Sequence, residues 1–147
     1  MTNTVVHTVD KSTWPVGPWT NEPDKQQWQD PATGLACMIV RNDDSGNLCG
    51  YVGVPPGHSQ HGANYNDVEA DVHGGLTYGA VCRGSVCHIP EPGQPDDVYW
   101  LGFDCAHLGD LSPNMIRRGY TFQGDVYRDF GYDRAECTRL AAQLAEP

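Results

Sequence analysis

The chain has 147 residues, enough for one domain with a core of its own. Hydrophobic residues make up 39% and charged residues 19%, with 17 Gly, 11 Pro, four Trp, seven Tyr and three Phe, which excludes a coiled coil, a long-helix bundle and a disordered chain. A net charge of −10 excludes a binder of duplex nucleic acid, which needs many cations against phosphate, but leaves room for one small anionic ligand held by a few local donors.

Residues 1–34 carry Trp14, Trp19 and Trp28 among Pro, Gly and Asn, and read as an ordered arm with a short helical turn after Asn21. Leu35 to Arg41 and Leu48 to Val54 flank the turn sequence DDSGN and predict a β-hairpin. Pro55 to Asn66 is a Gly/Pro loop. Alternation of Val72, Gly74 and Leu76 with Asp71, His73, Gly75 and Thr77 predicts a third strand over Glu69 to Val81. Residues 83–97 form a loop, and Val98 to Cys105 a fourth strand with Leu101 and Phe103 opposite Trp100, Gly102 and Asp104. Ser112 and Pro113 open a brief helix. Asp133 with Glu136 forms a capping box for a C-terminal helix over 133–146, whose apolar stripe is Cys137, Leu140, Ala141 and Leu144. The expected fold is α+β: a single domain over 1–147, with an N-terminal arm (1–34), a mainly antiparallel sheet of about four strands (35–105) and one helix on its apolar face.

No apolar run approaches the roughly 20 residues that span a bilayer, and the first residues lack the basic and apolar regions of a secretory signal, so the expected location is the cytosol. In that compartment most of the six cysteines are expected as free thiols. Cys82 and Cys87, in CRGSVC, could form a disulfide or half a zinc site, but are read first as two strand-end thiols.

The third and fourth strands carry the candidate chemistry. Their polar faces would bring together His73, Thr77, Trp100 and Asp104, with His107 just past the strand end. Strand-interior glycines, here Gly74, Gly75 and Gly102, call for a reason such as close approach of a ligand or another backbone. Histidine titrates near neutrality, so His73 and His107 can act as general base and acid on a phosphodiester or pyrophosphate, with Thr77 donating to a phosphate oxygen and Asp104 orienting an imidazole. Tyr51, His58, Trp100, Arg41, Gly74 and Gly75 would line the ligand site, with Tyr51 or Trp100 stacking on a base and Arg41 meeting phosphate. No cofactor is expected, although His73, Asp104 and His107 could take a divalent metal. The same face could instead hold a nucleotide without breaking a bond. The expected partners are a small nucleotide-type ligand and a homo-oligomeric copy, with no duplex nucleic acid and no membrane.

The blocks PVGPWTNEP, TGLACMIVRN, LCGYVGVPPGH, DVHGGLTY and YWLGFDCAHLGD run through nearly the whole chain. They resemble a small family of proteins from bacteriophages and bacteria marked by HGGLTY and a WFGFDCAH-like word. The resemblance implies a counter-defence role in the host cytosol, by cleaving a nucleotide signal, by sequestering it as a sponge, or by inhibiting a host defence protein. Phosphodiesterases of the two-histidine type pair each histidine with a threonine two residues on; here Gly75 follows His73 and Gly109 follows His107 at that spacing.

Overall fold

The computed structural model describes residues 7–146. The fold is α+β, as expected, but its antiparallel sheet has five strands: β1 (Lys25–Gln29), β2 (Ala36–Arg41), β3 (Leu48–Val54), β4 (Tyr78–Val81) and β5 (Tyr99–Asp104), in the order β1-β2-β3-β5-β4. A short helix α1 (Pro113–Arg118) and the C-terminal α2 (Phe130–Leu144) complete it. Among the described residues no helix is long and apolar enough to cross a membrane.

Strand alternation sorts the core into two layers. Leu48, Val52, Val54, Leu101 and Phe103 face Cys137, Leu140, Ala141 and Leu144 of α2, joined by Val72 and, partly buried, Leu76. On the opposite face Met38, Val40, Tyr51 and Trp100 pack beneath Val86 of the expected 83–97 loop and Val98, which was expected to open the fourth strand but stands just ahead of β5. Trp100 is therefore sealed inside the core rather than presented for stacking. The strand glycines have a packing reason. Across β3 and β5, Gly50 pairs with Phe103, Tyr51 with Gly102 and Gly53 with Trp100. A Cβ on Gly102 would lie 2.3 Å from the Tyr51 ring, and one on Gly50 would lie 2.4 Å from Phe103. Each glycine gives up its side chain so that a cross-strand ring can lie over it.

Three local expectations are corrected. The arm contains an edge strand, β1, and its helical turn is a 3-10 turn at Pro18–Asn21, ahead of the expected place. The predicted third strand shrinks to Tyr78–Val81, because residues 71–73 run along α2. The Asp71 N–H donates to Gln143 Oε1 (2.6 Å), the Asp71 carbonyl accepts from Gln143 Nε2 and Arg139 (both 2.9 Å), and the His73 N–H donates to Glu136 Oε1 (2.8 Å). Helix side chains here satisfy backbone groups that a sheet ladder would otherwise take. Finally, α2 is capped four residues earlier than expected: Asp129 is its N-cap, accepting from the Tyr132 N–H at 2.8 Å, while Asp133 and Glu136 are buried within it. The brief helix opened by Ser112 and Pro113 stands where it was expected.

Cys82 and Cys87 form a disulfide across the turn after β4, which replaces the free-thiol reading for this pair. Cys37, Cys49, Cys105 and Cys137 are unpaired. Thiol titration of unfolded, unreduced protein is expected to find four thiols, and six after reduction; six without reductant would contradict the bridge.

Candidate functional site

β5 ends at Asp104, and the chain turns at once: the Ala106 N–H donates to Asp104 Oδ1 at 3.1 Å. A second turn, closed by Asp110 N–H to the His107 carbonyl at 2.9 Å, sets His107 at the sheet's end. Its imidazole lies on the backbone of Gly74. A Cβ at that position would come within 2.1 Å of His107 Nε2, and Gly74 has a φ of +67°. Glycine is required there on both counts, for conformation and for space.

His73 and His107 come together, with ring centroids 5.8 Å apart, but they do different things. His73 Nδ1 is 2.6 Å from the Tyr132 hydroxyl and its Nε2 is 2.7 Å from Asp110 Oδ2. Both ring nitrogens are therefore engaged. Asp110 also accepts from the His107 backbone N–H at 3.0 Å and from Arg128 Nε at 3.0 Å. Burial pushes this carboxyl up, but the hydrogen bonds from His73, Arg128 and the His107 N–H outweigh that and hold it below the usual carboxylate range. Through Asp110, His73 is tied to the loop that carries His107. Sequence reasoning missed Asp110, Tyr132 and Arg128 because they come from three separate segments with no shared spacing.

His107 keeps its ring available. Nε2 is buried 3.2 Å from Asp104 Oδ1, at ion-pair distance but without hydrogen-bond geometry, and Nδ1 has no partner among the described residues. Thr77 Oγ1 donates to Asp104 Oδ2 at 3.1 Å. His107, Asp104 and Thr77 thus form one cluster, with the His73 ring beside it.

The cluster borders two cavities. One, of about 440 Å³, is polar and includes Asn42, Asn47, Cys49, Tyr51, Thr77 and Asp104. The other, of about 420 Å³, is walled by Leu108, Met115, Tyr120 and Phe122. His107, Ala106 and Ser45 line both, so His107 stands at the waist of a two-lobed groove. Leu108, Tyr120 and Phe122 are strongly exposed, which is unusual for apolar side chains unless something covers them. Among the described residues no Lys or Arg lines either lobe. Burial, together with the Asp104 charge, pushes the Cys49 thiol up to about 12, so it is not a ready nucleophile.

Other expected site residues lie elsewhere. Arg41 is buried in a network with Asp24, Glu22 and Tyr127. His58 caps the end of α2, its Nε2 2.6 Å from the Leu144 carbonyl and its Nδ1 accepting from the Gln60 N–H at 3.0 Å. Gly75 lies in the turn after Gly74, where a Cβ would meet nothing within 4 Å, so no close approach accounts for it. Among the described residues no group of three His, Cys, Asp or Glu side chains is arranged to hold a metal ion; His73 spends its nitrogens on Tyr132 and Asp110. No protein-family model, no curated protein and no solved structure matches the chain.

Proposed function

We propose that this chain binds a small nucleotide-type ligand across the waist of the groove, and that His107 performs acid–base hydrolysis of its phosphodiester bond. The observation that carries the reading is the unpartnered Nδ1 of His107, on an imidazole whose other nitrogen is held beside Asp104, between a polar and an aromatic lobe. The polar lobe offers Asn42 and Thr77 to a sugar and phosphate, and Tyr120 and Phe122 offer stacking surface to a base. Nδ1 takes the proton of an attacking water as its oxygen bonds to phosphorus, then returns it to the leaving oxygen as that bond breaks. The absence of Lys and Arg from the lining favours a ligand with one phosphodiester charge over a polyphosphate. The HGGLTY and GFDCAH words, which resemble phage proteins, support a host signal as that ligand and counter-defence as the setting.

A second reading is sequestration without cleavage. It is favoured by the saturation of His73, which leaves one free imidazole where a two-histidine mechanism needs two.

Incubation with a panel of cyclic and linear nucleotides tests both. Wild type is expected to turn over one of them and His107→Gln none, with its thermal midpoint nearly unchanged because the ring is one-third exposed. His73→Phe, in contrast, is expected to lose about 1–3 kcal/mol of stability, because Asp110 keeps only Arg128 and the His107 N–H and the Tyr132 hydroxyl loses its partner. Recovery of intact nucleotide after denaturation would select sequestration. Neither turnover nor retention of any nucleotide would overturn both.

A further inference from the structure

A smaller cavity, of about 110 Å³, opens at the opposite end of the sheet from the groove, where β2 begins and β3 ends. It shares no lining residue with either lobe. Its walls include Leu35, Pro55, Pro95 and Val98, all apolar, and its polar groups come from His88, Gln29 and Gln94.

His88 is nine-tenths buried. Its ring stands perpendicular to Trp100 with centroids 4.9 Å apart, its Nε2 is buried without a hydrogen bond, and its Nδ1 has no partner among the described residues. Burial pushes its pKa down, so the ring is neutral at physiological pH and one nitrogen is left as an acceptor. A buried imidazole with no hydrogen bond is costly unless something completes it.

The two glutamines are already joined. Gln29 Nε2 donates to Gln94 Oε1 at 3.3 Å and also to the Gly34 carbonyl. That arrangement leaves Gln29 Oε1 as an acceptor and Gln94 Nε2 as a donor, neither partnered among the described residues. Side-chain amides of this kind read a planar edge on which a donor stands next to an acceptor. At about 110 Å³ the cavity is smaller than the about 150 Å³ that encloses one benzene, so it takes no more than a single ring, held partly outside it.

We infer that this cavity is a second small-molecule site, and that it takes a single flat heteroaromatic ring whose edge carries an N–H beside a C=O, as in a pyrimidine base. The ring lies between the proline and aliphatic walls. Its C=O accepts from Gln94, its N–H donates to Gln29, and a further polar atom meets His88. The inference does not rest on the reading of the groove.

Uridine is the probe, followed through the ring resonances of isotope-labelled histidine. It is expected to shift the His88 signal saturably, with a Kd below about 1 mM. N3-methyluridine, which lacks the edge N–H, is expected to bind at least about tenfold more weakly, and Gln94→Ala, a change on an exposed loop, to weaken uridine by a similar factor. Three results would overturn the inference: no His88 shift at about 5 mM uridine, equal binding of the two nucleosides, or a shift of the His107 signal in place of that of His88.

Discussion

Replacing Arg41 with Ala is expected to cost about 3–5 kcal/mol, enough to unfold a marginal domain. The side chain is fully buried, and all five of its N–H groups are used. Nε donates to Asp24 Oδ1 at 2.9 Å; one terminal nitrogen donates to the Gly46 carbonyl at 2.9 Å and the Tyr127 hydroxyl at 2.8 Å; the other donates to Glu22 Oε1 at 3.3 Å and the Pro23 carbonyl at 3.2 Å. These partners belong to the arm, the β2–β3 turn and the segment ahead of α2, so one guanidinium ties three distant pieces of chain to the sheet. Removing it leaves Asp24 with Lys11, 2.7 Å away, and the Val9 N–H, 2.8 Å away, and leaves buried oxygens without donors. Lys cannot replace it, because an ammonium offers three donors where five fixed ones are needed. Urea unfolding reads the effect directly. Arg41→Lys is expected to fall between wild type and Arg41→Ala, and a loss below about 1 kcal/mol for the alanine variant would mean that the network is decorative.

That network also shows why Arg41 was misread from the sequence. A lone cation at the end of an apolar strand in an acidic chain looks available for phosphate, and nothing in the spacing shows that Glu22, Asp24 and Tyr127 close around it. The strands fared according to how strongly their pattern departs from loop chemistry. β2, β3 and β5 are short, mostly apolar runs between turn signals and were legible to within a residue. β1 was not, because KQQWQ is an edge strand whose polar side chains make no alternation. Residues 69–77 imitate a strand because Val72 and Leu76 both turn to the core, but Gly74 and Gly75, with φ of +67° and +80°, break the extended chain between them. The part of the site that was legible is the part that is local: Asp104 and His107 are three residues apart. The support for that site, Asp110 against His73 and Tyr132, is assembled by the fold.

Misreading Asp133 as a cap points to the second large effect. The residue is wholly buried in α2. Its Oδ1 takes only a thiol hydrogen bond, from Cys105 at 2.9 Å, and its Oδ2 has no partner. Burial, reinforced by Glu136, Asp110 and Glu22, raises its pKa from 3.8 to about 7. Between those values the folded state holds a proton that the unfolded state has released, so stability falls as pH rises. The penalty is absent below about pH 4 and complete above about pH 7; a shift of about three pH units corresponds to at most about 4 kcal/mol. Asp133→Asn keeps an acceptor for the Cys105 thiol and never ionises. It is therefore expected to match wild type near pH 4 and to exceed it by about 2–4 kcal/mol at pH 8. Other carboxylates and the histidines titrate in both proteins, so the difference between the two curves isolates this group. Chemical unfolding at pH 4, 6 and 8 would show the gap opening as pH rises. A gap that stays constant across the three would mean that Asp133 is ionised at every pH, and that its burial beneath Cys105 is compensated by a donor the carboxylate has found on folding.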